Sequence, residues 1–338
     1  MKAAVLIQTG DSGQLEKNLV VKDIPVPEIS ADEVLVNIKS ASLNHRDLWI
    51  AKGMYSKIDL PVVLGSDGAG IIHNKGVNVK GLEAGDEVMI NPGMNWGNDE
   101  NFQSKDFRIL GMPDNGTLTQ FIKVHHRYVH KKPAHLNFEQ ASAIPLAGVT
   151  AYRALFKKAG INKSDNILIT GIGGGVASMA LTFALKTGAK VFVTSGDDTK
   201  IAKAISLGAA GGVNYKKIDW DKQLIELSGN KINVIIDGSG GASYTNYLDL
   251  ISYGGRIVCY GATLGSVPQF NLHRLYWKQI KLMGSTMGSS KDFEEMIKFI
   301  DEKKVVPVID EVFPIQNVSE AFKKMDEGKQ FGKIVVGM

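Results

Sequence analysis

Two rhythms of hydrophobic and polar positions divide the chain. Over the first third, short β-branched runs at 34–38, 70–73 and 87–90 are bounded by turn signals such as Pro25-Val26-Pro27, Lys75-Gly76 and Ala84-Gly85-Asp86. With an opening strand over 1–7 and another over 119–124, this pattern predicts a small twisted barrel of antiparallel strands. After residue 160 the rhythm changes. Strands over 166–170, 190–194, 234–237, 256–260 and 280–283 alternate with helices over 176–187, 199–207 and 244–251, the second stopped by Gly208. Such alternation requires crossover connections and a parallel sheet, an α/β arrangement. The tail from 293 to 336 adds two helices and two strands. There is no internal repeat and no low-complexity segment.

A polar stretch over 91–110 breaks the first pattern. It is long for a loop and reads as a surface excursion anchored by Trp96, with a functional lobe as the alternative. A length of 338 residues fits two domains, and 39 basic against 35 acidic residues leave a net charge of only +4. Opposite charges are interspersed, which argues against nucleic acid as a partner. The single cysteine, Cys259, excludes an intramolecular disulfide and a multi-cysteine zinc site. The apolar start is too short for a signal peptide, and no run reaches the roughly 18 to 20 apolar residues of a membrane span. The expected place is the cytoplasm.

Candidate chemistry begins at the first parallel strand. It leads into Gly171-Ile172-Gly173-Gly174-Gly175-Val176-Ala177 and then an apolar helix. Glycines there permit a tight turn and close approach of a pyrophosphate, and the helix start offers N–H donors; Gly173, Gly174, Gly175 and Val176 are the expected contacts. An NAD site places an acid roughly 20 residues further on. Ser195 stands there instead, which favours a 2′-phosphate, with Lys200 and Tyr215 to complete its pocket. Asp197 and Asp198 lie close by, and their expected role is capping the next helix. The reading is NADPH, with NADH as the lesser alternative.

The order of motifs resembles the medium-chain dehydrogenase/reductase superfamily over essentially the full length. The motifs are 41–47 (Ala41 to Asp47), 64–70, 81–88, 143–152, the glycine turn and Gly254-Gly255-Arg256. The resemblance implies a GroES-like β-barrel catalytic domain over 1–147, completed by 288–338, and a Rossmann doubly wound parallel sheet over 148–287. It also implies a cofactor in the cleft between them and a homodimer through Rossmann edge strands. Zinc alcohol dehydrogenases of that superfamily hold a catalytic metal at positions matching Asn44, Ser66 and Leu146, none of which supplies a thiolate or imidazole. The region matching their structural zinc lobe, 91–110, has no cysteine. His125 and His126, if on a strand, point to opposite faces, and the other histidines are scattered. No metal is expected.

Without a Lewis acid, the remaining chemistry is hydride transfer to an already electrophilic acceptor. The pattern is similar to the quinone oxidoreductase and enoyl reductase branches, which carry Asn and Asp at the positions of Asn44 and Asp47. Asn44 is expected beside nicotinamide and substrate as a donor to the acceptor's oxygen, unless it is a turn asparagine. Asp47 is expected to fix the local backbone or pair with a nearby base, and Thr150 to bond the nicotinamide side. Trp49 and Tyr55 are either cleft-lining or core. Gly238, Gly261, Ser285 and Met287, in loops following parallel strands, are expected near the nicotinamide half. No proton donor stands out. The expected activity is NADPH-dependent reduction of a quinone or α,β-unsaturated carbonyl. The alternatives are alcohol or aldehyde redox chemistry and a non-catalytic NADPH-binding protein.

Overall fold

The computed structural model describes Met1–Met338, leaving aside the side chain of residue 12. The chain divides into two compact units, Met1–Ala147 with Gly288–Met338, and Gly148–Met287.

The first unit begins with strands β1 (Lys2–Leu6), β2 (Leu19–Asp23), β3 (Glu33–Ser42), β4 (Val62–Val63), β5 (Asp67–Lys75) and β6 (Glu87–Ile90). These are followed by β7 (Gly93–Met94), β8 (Arg108–Ile109), β9 (Phe121–His125) and β10 (Val129–Lys131). Helices α1 (Leu15–Asn18), α2 (His45–Ala51), α3 (Phe138–Ser142) and α4 (Pro145–Tyr152) lie between or after them. Strand β3 organises the unit. It pairs with β5 along most of its length, with β9 over its first half, and with the last strand of the chain at its end. The close approach of β5 explains Gly70, where a Cβ would stand 2.1 Å from the Asn37 carbonyl oxygen. The stretch between β6 and β9 is a surface excursion built on the β7–β8 pair. Trp96 anchors it, only 3% exposed, edge-on to Phe107 and donating to the Asp99 carbonyl.

The second unit is a six-stranded parallel sheet in the order β13-β12-β11-β14-β15-β16. Its strands are β11 (Asn166–Ile169), β12 (Lys190–Ser195), β13 (Gly211–Asn214), β14 (Val234–Asp237), β15 (Arg256–Cys259) and β16 (Lys281–Gly284). Helices α5 (Gly175–Thr187), α6 (Asp198–Ser206), α7 (Trp220–Ser228), α8 (Tyr244–Leu250) and α9 (Leu272–Trp277) make the connections. The order reverses direction at β11 and β14, the switch point where doubly wound sheets bind ligands. Strands β11 and β14 are almost wholly buried and read as continuous apolar runs, as a sheet covered on both faces requires.

The tail returns to the first unit through α10 (Ser290–Lys303), β17 (Ile309–Pro314), α11 (Val318–Asp326) and β18 (Lys333–Gly337). Helix α11 buries Val318, Ala321, Phe322 and Met325, one face at helical spacing, in the same core as Leu6, Ile38 and Val88. The strand pairs of the first third are antiparallel, and the tail adds a pair of the other kind. Strands β17 and β18 are parallel, because α11 supplies the crossover that parallel neighbours need.

The pair of adjacent histidines also differs from expectation. Strand β9 ends at His125 and the chain turns into a short 3-10 helix, so the rings of His125 and His126 stack 4.9 Å apart instead of diverging. His130, on β10, packs against Phe293 with its Nε2 unpartnered, and burial pulls its pKa down to about 4. The folded value lies below the unfolded one of about 6.5, so this histidine's contribution is complete above pH 6.5 and is lost as pH falls from there towards 4. Stability against urea should therefore fall between pH 7 and 4.5 by about 1–2 kcal/mol more in the wild type than in His130→Gln. Parallel pH dependences in the two proteins would contradict this.

Candidate active site

In the first unit, four chain segments converge on one buried carboxylate. Asp67, the first residue of β5, is 0% exposed. Its Oδ2 accepts from Asn44 Nδ2 at 2.9 Å, from Lys333 Nζ at 3.0 Å and from Ser42 Oγ at 3.4 Å. Its Oδ1 accepts from the Leu146 backbone N–H at 2.8 Å. The pairing of β3 with β5 sets Ser42 opposite Asp67, and Asn44 follows two residues later at the start of α2. Lys333 arrives from the other side. Leu43 N–H donates to the Ile334 carbonyl, so the residues flanking that bond, Asn44 and Lys333, are neighbours.

Lys333 is 2% exposed, and its ammonium also donates to Asn44 Oδ1 at 2.7 Å. The sequence reading missed it. The available signal was a lysine inside the apolar run Gly332-Lys333-Ile334-Val335-Val336, where an unpaired charge is too costly to bury. Its field adds to burial in holding the pKa of half-buried His45 below the ordinary histidine value. The ring of His45, one of the scattered histidines of the sequence, lies 5.9 Å from that of Trp49, next to this network.

Asp47 sits beneath the network. Its Oδ2 accepts from the Asn44 backbone N–H at 2.8 Å and its Oδ1 from Gly65 N–H at 3.3 Å. Burial raises its pKa, and the guanidinium of Arg46, 3.9 Å away, opposes that shift. It fastens the start of α2 to the β4–β5 turn. Trp49 is half-buried, and Tyr55 is 37% exposed, which removes the core alternative for Tyr55.

The donor set does not fit a zinc ion. Leu146 has no ligand atom, Ser66 donates its hydroxyl to the Leu110 carbonyl and receives Arg46, and Asn44 is engaged by Lys333. The one carboxylate, Asp67, already carries an ammonium. Among the described residues, no group of three or more His, Cys, Asp or Glu side chains is arranged to hold a metal.

In the second unit, the turn after β11 takes left-handed backbone at Gly171 and Gly173 (φ 60° and 136°), which explains glycine at both. The turn is pinned to β12 by Ile172 N–H donating to the Thr194 carbonyl at 2.8 Å. The cap position of α5 is Gly174, which has no side chain, so the first N–H groups of the helix, from Gly175 and Val176 onwards, face no side-chain cap. Ala177 is buried and lets α5 lie close to the sheet. These features fit a pyrophosphate.

Beside the end of β12, Tyr215 N–H donates to the Ser195 carbonyl at 3.0 Å. Tyr215 Oη and Lys216 Cε lie 2.8 and 2.7 Å from where a Gly196 Cβ would stand. Asp197 is occupied in capping α6 through Thr199, and Asp198 accepts from Asn214 and Lys217. Both acids are thus paired locally, and their partners hold both pKa values low. Lys200 lies on the first turn of α6, where its charge acts on Asp197.

Asp237, at the end of β14, ties this loop to the next. It accepts from Thr170 Oγ1 at 2.6 Å and from the N–H groups of Ser239 and Gly240. Burial raises its pKa and those hydrogen bonds oppose the rise. Gly238 and Gly261 have a packing reason of their own, since a Cβ would meet the Tyr260 ring at the first and the Gly238 carbonyl at the second. Ser285 Oγ is buried without a hydrogen-bond partner, a donor left available to a ligand. Thr150 Oγ1 lies 4.0 Å from Met287 Sδ, and Met287 is buried with a left-handed backbone (φ 40°). The residues present fit a dinucleotide.

Comparison with known proteins supports both halves. The zinc-binding dehydrogenase family model matches residues 175–302, and the alcohol dehydrogenase GroES-like domain model matches residues 30–134. The chain is 36% identical over 341 residues to the zinc-type alcohol dehydrogenase-like protein YogA of Leptosphaeria maculans, covering 95% of this chain and 94% of that one. It is 29% identical over 329 residues to the acryloyl-coenzyme A reductase of Sulfurisphaera tokodaii, covering 94% and 95%. A crystal structure of an NAD-dependent alcohol dehydrogenase superposes with a TM-score of 0.93 at 34% identity, with 100% of both chains covered. No helix among the described residues is long and apolar enough to cross a membrane. By its GroES-like and Rossmann folds, its dinucleotide turn and these full-length likenesses, the chain belongs to the medium-chain dehydrogenase/reductase superfamily and is an NAD(P)-dependent oxidoreductase.

Proposed function

We propose that this enzyme is a zinc-independent, NADPH-dependent reductase of electrophilic acceptors, quinones or α,β-unsaturated carbonyl compounds. The observation that carries the reading is the first-unit network, where an amide held by Lys333 and Asp67, a serine and a leucine stand at the positions that match metal ligands in zinc alcohol dehydrogenases. Such groups polarise an oxygen less than a divalent metal does, so the substrate must already be electrophilic. The likeness to an acryloyl-coenzyme A reductase supports the same chemistry. Bound NADPH supplies the hydride. Asn44 has a second Nδ2 hydrogen beyond the one given to Asp67, and this is the donor for the acceptor's oxygen. Thr150 orients the nicotinamide side, and Asp47 acts only by holding the start of α2. The proton that completes the reduction comes from water. A second reading, alcohol dehydrogenation, is favoured by the likeness to an NAD-dependent alcohol dehydrogenase.

The choice of NADPH rests on Ser195 at the acidic position, with Tyr215 and Lys216 beside it and both nearby acids already paired. A homodimer through β16 is supported by that strand's place at the sheet edge and by exposed Leu282 on it, with Leu272 and Trp277 exposed on α9.

Purified enzyme should oxidise NADPH with members of a small quinone panel or a small enone panel, with no loss of rate after chelator treatment and with less than about a tenth of an equivalent of zinc. Silence on both panels, or primary-alcohol oxidation that needs stoichiometric zinc, overturns the reading. The KM for NADPH should lie below that for NADH. Lys216→Ala should raise the NADPH value roughly tenfold, the loss of one charge-assisted hydrogen bond, without altering NADH. A wild-type preference for NADH defeats the cofactor assignment. Light scattering should give twice the mass of one chain, and a monomer ends the dimer proposal.

A further inference from the structure

We propose that Lys333 is a positioning residue whose ammonium, together with the Asp67 carboxylate, locks the Asn44 amide in one orientation. The argument starts from hydrogen-bond chemistry. An ammonium has donors only and a carboxylate acceptors only. Asn44 lies between the two, with Oδ1 2.7 Å from Lys333 Nζ and Nδ2 2.9 Å from Asp67 Oδ2. Turning the amide over would set its NH2 group against the ammonium and its oxygen against the carboxylate, so both contacts become repulsive. The third side of the triangle, Lys333 to Asp67 at 3.0 Å, closes the ring and leaves it neutral overall. Asn44 is 8% exposed, so little water is available to compensate a misplaced amide.

The surroundings hold each corner. Leu146 N–H and Ser42 Oγ fix the Asp67 carboxylate, the Asp47 carboxylate fixes the Asn44 backbone, and the Leu43–Ile334 backbone bond fixes the strand that delivers Lys333. With Oδ1 and one Nδ2 hydrogen committed, the second Nδ2 hydrogen has a single direction. Lys333 therefore does not touch the substrate. It decides where the Asn44 donor points.

This inference rests on Asn44 being the donor to the acceptor, so the test includes a readout independent of turnover. In 15N-labelled enzyme, the Asn44 side-chain amide pair, identified by its loss in Asn44→Ala, should exchange slowly with solvent. In Lys333→Met its exchange should be at least tenfold faster. With an acceptor the wild type reduces, Lys333→Met should lower kcat ten- to a hundredfold and leave the KM for NADPH within twofold. Lys333→Met/Asn44→Ala should be no slower than Asn44→Ala alone, since both act through one donor. Lys333→Met strands the buried Asp67 charge at a large cost in stability, so Asp67→Asn/Lys333→Met serves as the neutral partner variant. It should fold and keep the low kcat. Wild-type turnover in the neutral variant, additive losses in the double variant, or unchanged amide exchange in Lys333→Met overturns the proposal. If the wild type reduces neither quinones nor enones, the functional reading fails and the amide exchange alone decides the role of Lys333.

Discussion

A carboxylate buried to 0% exposure must be matched by positive charge and hydrogen-bond donors, or it will not ionise. At Asp67 that requirement reaches through most of the first unit. The donors come from the end of β3, the start of α2, the first turn of α4, and β18 near the end of the chain. Removing one partner from such a buried pair typically costs about 3–5 kcal/mol. The last strand therefore contributes more than a sheet edge. Lys333 can reach Asp67 only if β18 pairs with β3 in the observed register, and that register also carries Ile334 and Val336 into the shared core. The pairing that completes the fold is the pairing that completes the site.

The second unit meets a related constraint with backbone. Asp237 is also buried and ends a central strand, but its partners are two hydroxyls, of Thr170 and Tyr247, and loop N–H groups, with no cation among the hydrogen bonds it accepts. The consequence is rigidity of the loops following β11 and β14, on either side of the switch point of the sheet. The glycines there serve two ends. Gly171 and Gly173 adopt backbone angles that side chains disfavour, while Gly238 and Gly261 admit neighbours that a Cβ would push away. A cofactor-facing loop can thus owe its glycines as much to packing as to the ligand.

The parts of the structure written in short, local patterns were legible in the sequence. The alternation of strands and helices after residue 160, the glycine turn at the start of α5 and the capping role of Asp197 each depend on residues a few positions apart. Trp96 as the anchor of the 91–110 excursion was legible for the same reason. Lys333 was not. Its partners Asn44 and Asp67 lie more than two hundred residues earlier, and only the antiparallel return of β18 along β3 brings them together. The stacked His125 and His126 rings failed for a smaller reason, a strand that ends one residue before the alternation rule would need it to continue. The parallel β17–β18 pair was hidden because strand direction is set by the crossover and not by either strand's own composition.

A relative named as zinc-type need not share a metal site, because the fold places ligands through positions that other chemistry can occupy. Here the argument can be made residue by residue. A leucine at 146 offers a backbone N–H where a ligand side chain would be needed, and that N–H is given to Asp67. A serine at 66 turns towards Arg46 and the Leu110 carbonyl. An asparagine at 44 is gripped on both sides, and a lysine supplies the single positive charge that balances the carboxylate. Each substitution alone would leave a damaged metal site. Together they leave the side chains of Asn44, Ser66, Asp67 and Lys333 hydrogen-bonded, as a stable buried polar network requires. A dication added to this arrangement would be repelled by the ammonium and find one carboxylate already shared. The network is therefore better understood as a built hydrogen-bonding site than as the remnant of a metal centre.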